Sequence, residues 1–279
     1  MTKLKWMRTG CKFKHAIASR SAVLALAMAL AGCPSNLRGP AAGGVANGRS
    51  SAVPGAPAQP APAAGTARHE GRPYDIAAGE SLLVILAYRS GALASMGHNH
   101  VIASHDVTGT FYVPDNVFNT TFELHLPVAE LTIDEPRLRA REGPDFPVEV
   151  AESAKEGTRR NMLSEALLGG AQFPEITLIS QGMHAGPGTA APLPGDNAAG
   201  SAVADVQVSV RGRTRTLSVP VQYVLKAGRL EVSADLPLKQ SELGLTPFSA
   251  LMGALQVQDE MRVKFQIVAL RAQLHGPEN

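Results

Sequence analysis

Gly97-His98-Asn99-His100 is the densest group of chemistry-bearing side chains in the sequence. On an extended backbone, residues at i and i+2 share a face. His98 and His100 then point together, and His105 points the other way. Two imidazoles so placed can ligate Zn or Cu, with His125 as a third ligand if its strand presents the same face. They can equally hydrogen-bond a ligand headgroup, or be satisfied by neighbours and solvent. No Cys or carboxylate in the local sequence completes a metal set, so no metal ligand and no cofactor is assigned. Arg137, Arg139 and Arg141 repeat at the same spacing, as do Arg211, Arg213 and Arg215. Guanidinium groups suit phosphate through paired N–H donors; they also solubilise turns and protect sheet edges. Catalytic patterns are lacking: there is no Gly-x-Ser-x-Gly, no phosphate loop and no HExxH. Asp134-Glu135 and Asp259-Glu260 are adjacent carboxylates, which face opposite sides of a strand and make no acid–base pair. The expectation is that the protein is not an enzyme.

The elements that must carry these residues are mostly strands. From Ser201 to Leu238 the sequence reads as three consecutive strands. Val206, Val208 and Val210 alternate with polar residues, and so do Leu217, Val219, Val221, Tyr223 and Leu225. Period 2 places one face on an apolar interior. Arg211-Gly212 and Ala227-Gly228 mark tight turns, where Gly supplies positive φ. Such a meander needs a second layer or closure on itself. Upstream, Ser81–Arg89 reads as a buried strand and His98–Val113 as a second long strand with a bend at Gly109. Asn119–Val128 is a third, continued after Pro127 by Leu131–Asp134. A helix is expected over about Ala151–Leu168, best formed in its second half, followed by a strand from Pro174. Gly186–Gly200 reads as a long surface loop. Phe248, Leu251, Met252 and Leu255 at i, i+3, i+4 and i+7, behind Thr246-Pro247, predict a short amphipathic helix within Gln240–Ala254. Val257–Leu270 is the last strand. The total is about eight strands with one or two helices: an all-β fold, best met by an up-and-down antiparallel barrel, with a two-sheet sandwich as the alternative.

Composition divides the 279-residue chain. Residues 1–32 hold six Lys and Arg and no acid; without those six of the 26 bases, 20 remain against 24 acids. The formal charge of +2 and pI of 8.6 thus belong to the first residues, and no nucleic-acid partner is supported. A basic start, the short apolar run Ser21–Gly32 and small residues at its end read as a secretory signal, too short for a comfortable membrane span. Leu30-Ala31-Gly32-Cys33 resembles the lipobox of bacterial lipoproteins, which makes Cys33 the expected lipidation site. Loss of Cys11 with the signal would leave no internal disulfide. Pro34 is not the Asp associated with inner-membrane retention, so the expected location is the bacterial cell envelope, lipid-anchored at the outer membrane and facing the periplasm. Residues 33–70, rich in Ala, Pro and Gly, read as a disordered tether, on the order of 100 Å long if fully extended. Residues 71–272 form the expected barrel domain, and 273–279 a tail.

Several stretches, in order, resemble the YceI-like, polyisoprenoid-binding family. These are Glu123-Leu124 through Arg141, Phe173-Pro174-Glu175-Ile176-Thr177-Leu178-Ile179-Ser180, Val208-Ser209-Val210-Arg211-Gly212-Arg213-Thr214-Arg215, and Leu238–Gly244 followed by Gly253–Val263. The similarity covers about residues 74–271. The stretch before Phe173, the 186–200 segment and the linker depart from it. The resemblance implies a lipocalin-like eight-stranded barrel whose apolar lumen holds a polyisoprenoid, quinone or similar chain. It makes Phe111, Phe122, Leu124, Leu126, Val219, Val221, Tyr223, Phe265 and Ile267 the candidate lumen residues, unless they merely fill the core. His98, His100, Arg137 and Arg139 become candidate headgroup contacts. The function so implied is an envelope lipoprotein that binds or carries an apolar lipid, held on the membrane through Cys33. Two alternatives stay open: a periplasmic metal or redox accessory protein using His98 and His100, and a structural or interaction module with a packed lumen.

Overall fold

Two two-residue turns set the register of the sheet. Arg211 (φ 49°) with Gly212 (φ 65°), and Ala227 (φ 50°) with Gly228 (φ 76°), all lie in the left-handed region, the geometry that matches the right-handed twist of flanking strands. The computed structural model describes residues 69–186 and 197–272. The expectations for residues 1–32, Cys33, most of the 33–70 tether and the 273–279 tail lie outside the described residues, as does the middle of the 186–200 loop.

The strands are β1 (Arg72–Ile76), β2 (Leu82–Ser90), β3 (His100–Ser104), β4 (Thr108–Val113), β5 (Thr121–Pro127), β6 (Thr132–Ile133), β7 (Glu175–His184), β8 (Asn197–Val210), β9 (Arg213–Lys226), β10 (Arg229–Lys239), β11 (Ser249–Ala250) and β12 (Leu255–Arg271). Two helices, α1 (Pro136–Arg139) and α2 (Glu152–Leu163), interrupt them. Antiparallel pairing in the order β1-β4-β5-β7-β8-β9-β10-β12, with β12 returning to β1, closes an eight-stranded barrel. The meander β8-β9-β10 forms as its alternation requires: Val206, Val208, Val210, Val221, Tyr223 and Leu225 are all buried.

β12 carries two partners on one edge. Its Ala269–Arg271 pairs with β1, and its Gln256–Gln266 pairs with β2. Ser81 stands at the corner between them. Its Oγ accepts the Val268 N–H at 3.0 Å and lies 3.0 Å from the Ala77 carbonyl oxygen. The same corner divides the next strand. The expected long strand His98–Val113 is two strands: β3 follows β2 and β4 follows β1. The break falls at His105–Val107, not at Gly109. Gly109 lies inside β4, where a Cβ would meet the Glu123 carbonyl oxygen at 2.1 Å. Leu131–Asp134 does not extend β5 either; a 3-10 turn over Val128–Glu130 sends it to pair with β3 as β6.

Both faces of β2 are covered, which explains its unbroken apolar run. Leu83 and Ile85 pack with the barrel interior. Val84 and Leu86 join Val101, Ala103, Leu138 and Phe146 in a second cluster. Helix α2 stops at Leu163, earlier than expected, and its first half is regular. Ser164 leaves the helix in extended geometry, its hydroxyl donating to the Asn161 carbonyl at 2.7 Å, a local bond that competes with continuation. The amphipathic helix expected within Gln240–Ala254 does not form. A 3-10 turn covers Gln240–Leu243, and Ser249–Ala250 pairs back on Leu255–Gln256. Leu251 and Met252 take positive φ and are exposed at 62% and 107%, so the apolar spacing there marks a tight return rather than a buried helix face.

Candidate functional site

The inward side chains of the barrel do not fill it. They enclose a cavity of about 590 Å³, lined almost entirely by aliphatic and aromatic groups. All nine expected lumen residues lie on its wall. Phe111 and Phe122, facing each other across β4 and β5, hold their ring centroids 5.2 Å apart. Tyr223 brings a phenol whose pKa burial pushes up, so it stands neutral in the wall. A second cavity of about 350 Å³ adjoins the first and shares Ile85, Ile176, Val208, Leu243 and Met261 with it. Helix α2 forms one side through Ala154, Gly157, Thr158 and Asn161. Both volumes fall in the range of small-molecule sites.

The second cavity holds the histidine pair. His98 and His100 both line it, with ring centroids 6.2 Å apart, so the shared face expected from their spacing is present. Their loop is pinned through Asn99. Asn99 accepts the Arg89 N–H at 3.0 Å and donates to the Asp145 carbonyl at 3.1 Å. His105 lies elsewhere, 2.8 Å from Glu135, and His125 pairs with Glu175 at 3.0 Å, so neither joins the pair. Among the described residues no group of three or more His, Cys, Asp or Glu is arranged to hold a metal ion.

His100 is instead fixed by a carboxylate behind it. Its Nδ1 lies 2.7 Å from Asp134 Oδ2, and its Nε2 lies 3.2 Å from Thr158 Oγ1. Asp134 Oδ1 accepts the Val101 N–H at 2.9 Å and an ion-paired bond from Arg139 Nη1. Burial by itself would raise the Asp134 pKa; the His100 hydrogen bond, the Val101 amide and the His100 and Arg139 charges outweigh it and set the net shift downward. An ionised Asp134 makes His100 Nδ1 the donor and turns Nε2 toward Thr158 and the cavity. Thr158 also lies 3.0 Å from the Ala154 carbonyl, so its single proton is contested between that oxygen and His100.

The arginines expected at a headgroup do not reach either cavity. The stretch Pro136–Arg139 is helical, and residues two apart diverge on a helix. Arg137 is exposed. Arg139 is wholly buried, donating to the Asn99 carbonyl at 2.7 Å and the Pro147 carbonyl at 2.5 Å, with its guanidinium carbon 5.7 Å from the Phe146 ring centre. Arg139 thus supports the His100 loop from behind. Sequence reading missed Asp134 and Thr158. The contact from Asp134 to His100 spans 34 residues of chain, β3 through β6, and nothing in local spacing announces it.

A family model described as the YceI-like domain matches residues 89–269. Among solved structures, BcnA of Burkholderia cenocepacia superposes with a TM-score of 0.48 at 14% identity, covering 70% of this chain and 99% of that one. A polyisoprenoid binding domain from Saccharophagus degradans, described as implicated in plant cell wall breakdown, gives 0.45 at 10% identity, with 71% and 98% covered. The YceI protein of Campylobacter jejuni gives 0.42 at 7%, with 62% and 85% covered. No match was found among curated proteins.

Proposed function

The chain belongs to the YceI-like domain family, and on that premise we propose that its barrel binds an elongated apolar lipid of the polyisoprenoid or quinone type. The observation that carries this reading is the void itself. Protein interiors pack to crystal-like density, yet here the inward face of an eight-stranded barrel encloses about 590 Å³ lined by aliphatic and aromatic side chains. A structural module with a packed lumen would have no such space. The apolar chain occupies the larger cavity. An uncharged oxygen headgroup sits in the smaller one, against His100 Nε2 and Thr158 Oγ1. No catalytic step is proposed.

The sequence before the barrel supports the cellular setting. Cys33 is the lipidated residue, residues 33–70 are the tether, and the barrel works in the periplasm near the outer membrane, where it holds or carries lipid. Organic extraction of the purified chain followed by mass spectrometry tests the ligand. A prenyl or quinone species released in near-equal amount to protein is expected. Repeatedly empty barrels that also take up neither a prenyl alcohol nor a quinone contradict the reading.

A further inference from the structure

The barrel wall is slit along one seam. β9 and β10 pair only from Lys226–Arg229 to Gln222–Ser233. Beyond that point β9 stays on β8 down to Arg213, and β10 stays on β12 down to Lys239. Among the described residues, 214–221 of β9 thus have no strand partner on that side, a length on the order of 25 Å at ~3.3 Å per residue. Arg213 Nη1 donates to the Gly244 carbonyl at 3.0 Å and bounds the far end.

Two prolines account for the slit. Hydrogen-bonded and non-hydrogen-bonded pairs alternate along an antiparallel ladder, and a two-residue hairpin closes on a hydrogen-bonded pair. From the Ala227-Gly228 turn, the N–H groups of Lys226, Val224 and Gln222 therefore face β10. The next in that series is Pro220, which has none. From β10 the same series runs Arg229, Glu231, Ser233, Asp235 and reaches Pro237. The other hairpin agrees: counting from Val210–Arg213 places Val203–Pro220 at a non-hydrogen-bonded site, so the β8 ladder loses nothing. Both prolines turn their ring nitrogens to the gap.

The cavity reaches out through this seam. Elsewhere along the barrel it touches alternate residues of each strand, allowing for the register shift in β7. Here it touches Thr216–Val219 and Leu236–Leu238 in unbroken succession, inward and outward positions alike. Val221 and Leu225 are buried to 6% and 3% exposure, whereas Leu217 and Val219, on the same face, are only half-buried. Leu236 and Leu238 across the gap are half-buried too. Aliphatic lips suit a hydrocarbon chain. Loss of two edge donors disfavours an added β-strand.

We propose that the slit between β9 and β10 is the lateral port through which a lipid's hydrocarbon chain enters and leaves the lumen, sideways rather than by threading an end of the barrel. The proposal rests on the lipid-binding reading. Stopped-flow uptake and release of a fluorescent polyene prenyl alcohol by the full chain tests it. In Ser218→Trp/Pro237→Trp, two indoles lie across the seam; in Pro220→Val/Pro237→Val, the missing donors are restored. Both should exchange the probe about ten-fold more slowly in each direction, with affinity held within about two-fold, since a gate changes rates and not the bound state. Glu156→Trp, on the exposed side of α2, should keep native rates. Native rates in the folded Trp pair overturn the port; if that pair does not fold, the proline pair decides in its place. Failure of the native chain to take up probe overturns the lipid reading, and the port with it.

Discussion

Asp134 Oδ2 lies 2.7 Å from His100 Nδ1 while Asp134 Oδ1 holds the buried Arg139. One carboxylate thus fixes the wall of the smaller cavity and neutralises a guanidinium that has no access to water. Among the described residues, Arg139 Nη2 has no hydrogen-bond partner, so the guanidinium depends on this charge. Breaking a buried pair by removing one partner costs about 3–5 kcal/mol. Asp134→Asn, which keeps the shape and one acceptor, should lower stability by about that amount in urea unfolding. A loss under about 1 kcal/mol would mean that Arg139 is satisfied without the charge.

The same carboxylate sets an acid limit. Its folded-state pKa lies below the ordinary 3.8, so the unfolded chain takes up the proton more readily. The contribution is complete above 3.8 and is lost as pH falls through the folded-state value. Urea midpoints measured from about pH 6 downward should therefore show the native chain's advantage over Asp134→Asn constant at first, then shrinking in acid. An advantage that grows as the pH falls would have the wrong sign for this assignment.

Filling the void separates binding from folding. Val221 is buried on the wall of the larger cavity. Val221→Trp places a large ring where ligand is proposed to lie. Overpacking a filled core costs roughly 1–3 kcal/mol, but here the added atoms have space. Lipid content should fall about ten-fold while stability changes by less than about 1 kcal/mol. Unfolding of the variant would show that the site is already packed.

The second hairpin carries removable strain. Ala227 occupies left-handed backbone at φ 50°, which costs a non-glycine residue about 1–2 kcal/mol. Asn tolerates that region, and Asn-Gly is the preferred pair for this turn. Ala227→Asn should raise stability by about 0.5–1 kcal/mol, seen as a higher urea midpoint at unchanged slope.

The parts of the fold legible in sequence are those whose signal is local. Alternation from Val206 to Leu225 with Gly212 and Gly228 at its breaks specifies two hairpins directly. The same alternation placed Val221 on the apolar face, whereas Phe111, Phe122 and Leu124 became lumen candidates through the family resemblance. The division at His105–Val107 carries no such mark: both halves are good strands, and only their partners change at the barrel corner. The stripe Phe248, Leu251, Met252, Leu255 misled because apolar spacing cannot tell a buried helix face from an exposed return. Arg137 and Arg139 look equivalent on paper. A four-residue helix sends one to solvent and the other under the sheet. The support of His100 was hidden for the same reason, since Asp134 reaches it across 34 residues of chain. Pro220 and Pro237 were plain in the sequence, but their meaning depends on a register that only the paired strands supply.

Native mass spectrometry of the full chain beside Val221→Trp shows whether the void is a lipid site. The native protein should carry a single adduct of prenyl-lipid mass, removed by organic extraction, restored by adding a prenyl alcohol or quinone, and absent from the variant. A native chain that is adduct-free as purified and stays so after loading would contradict it.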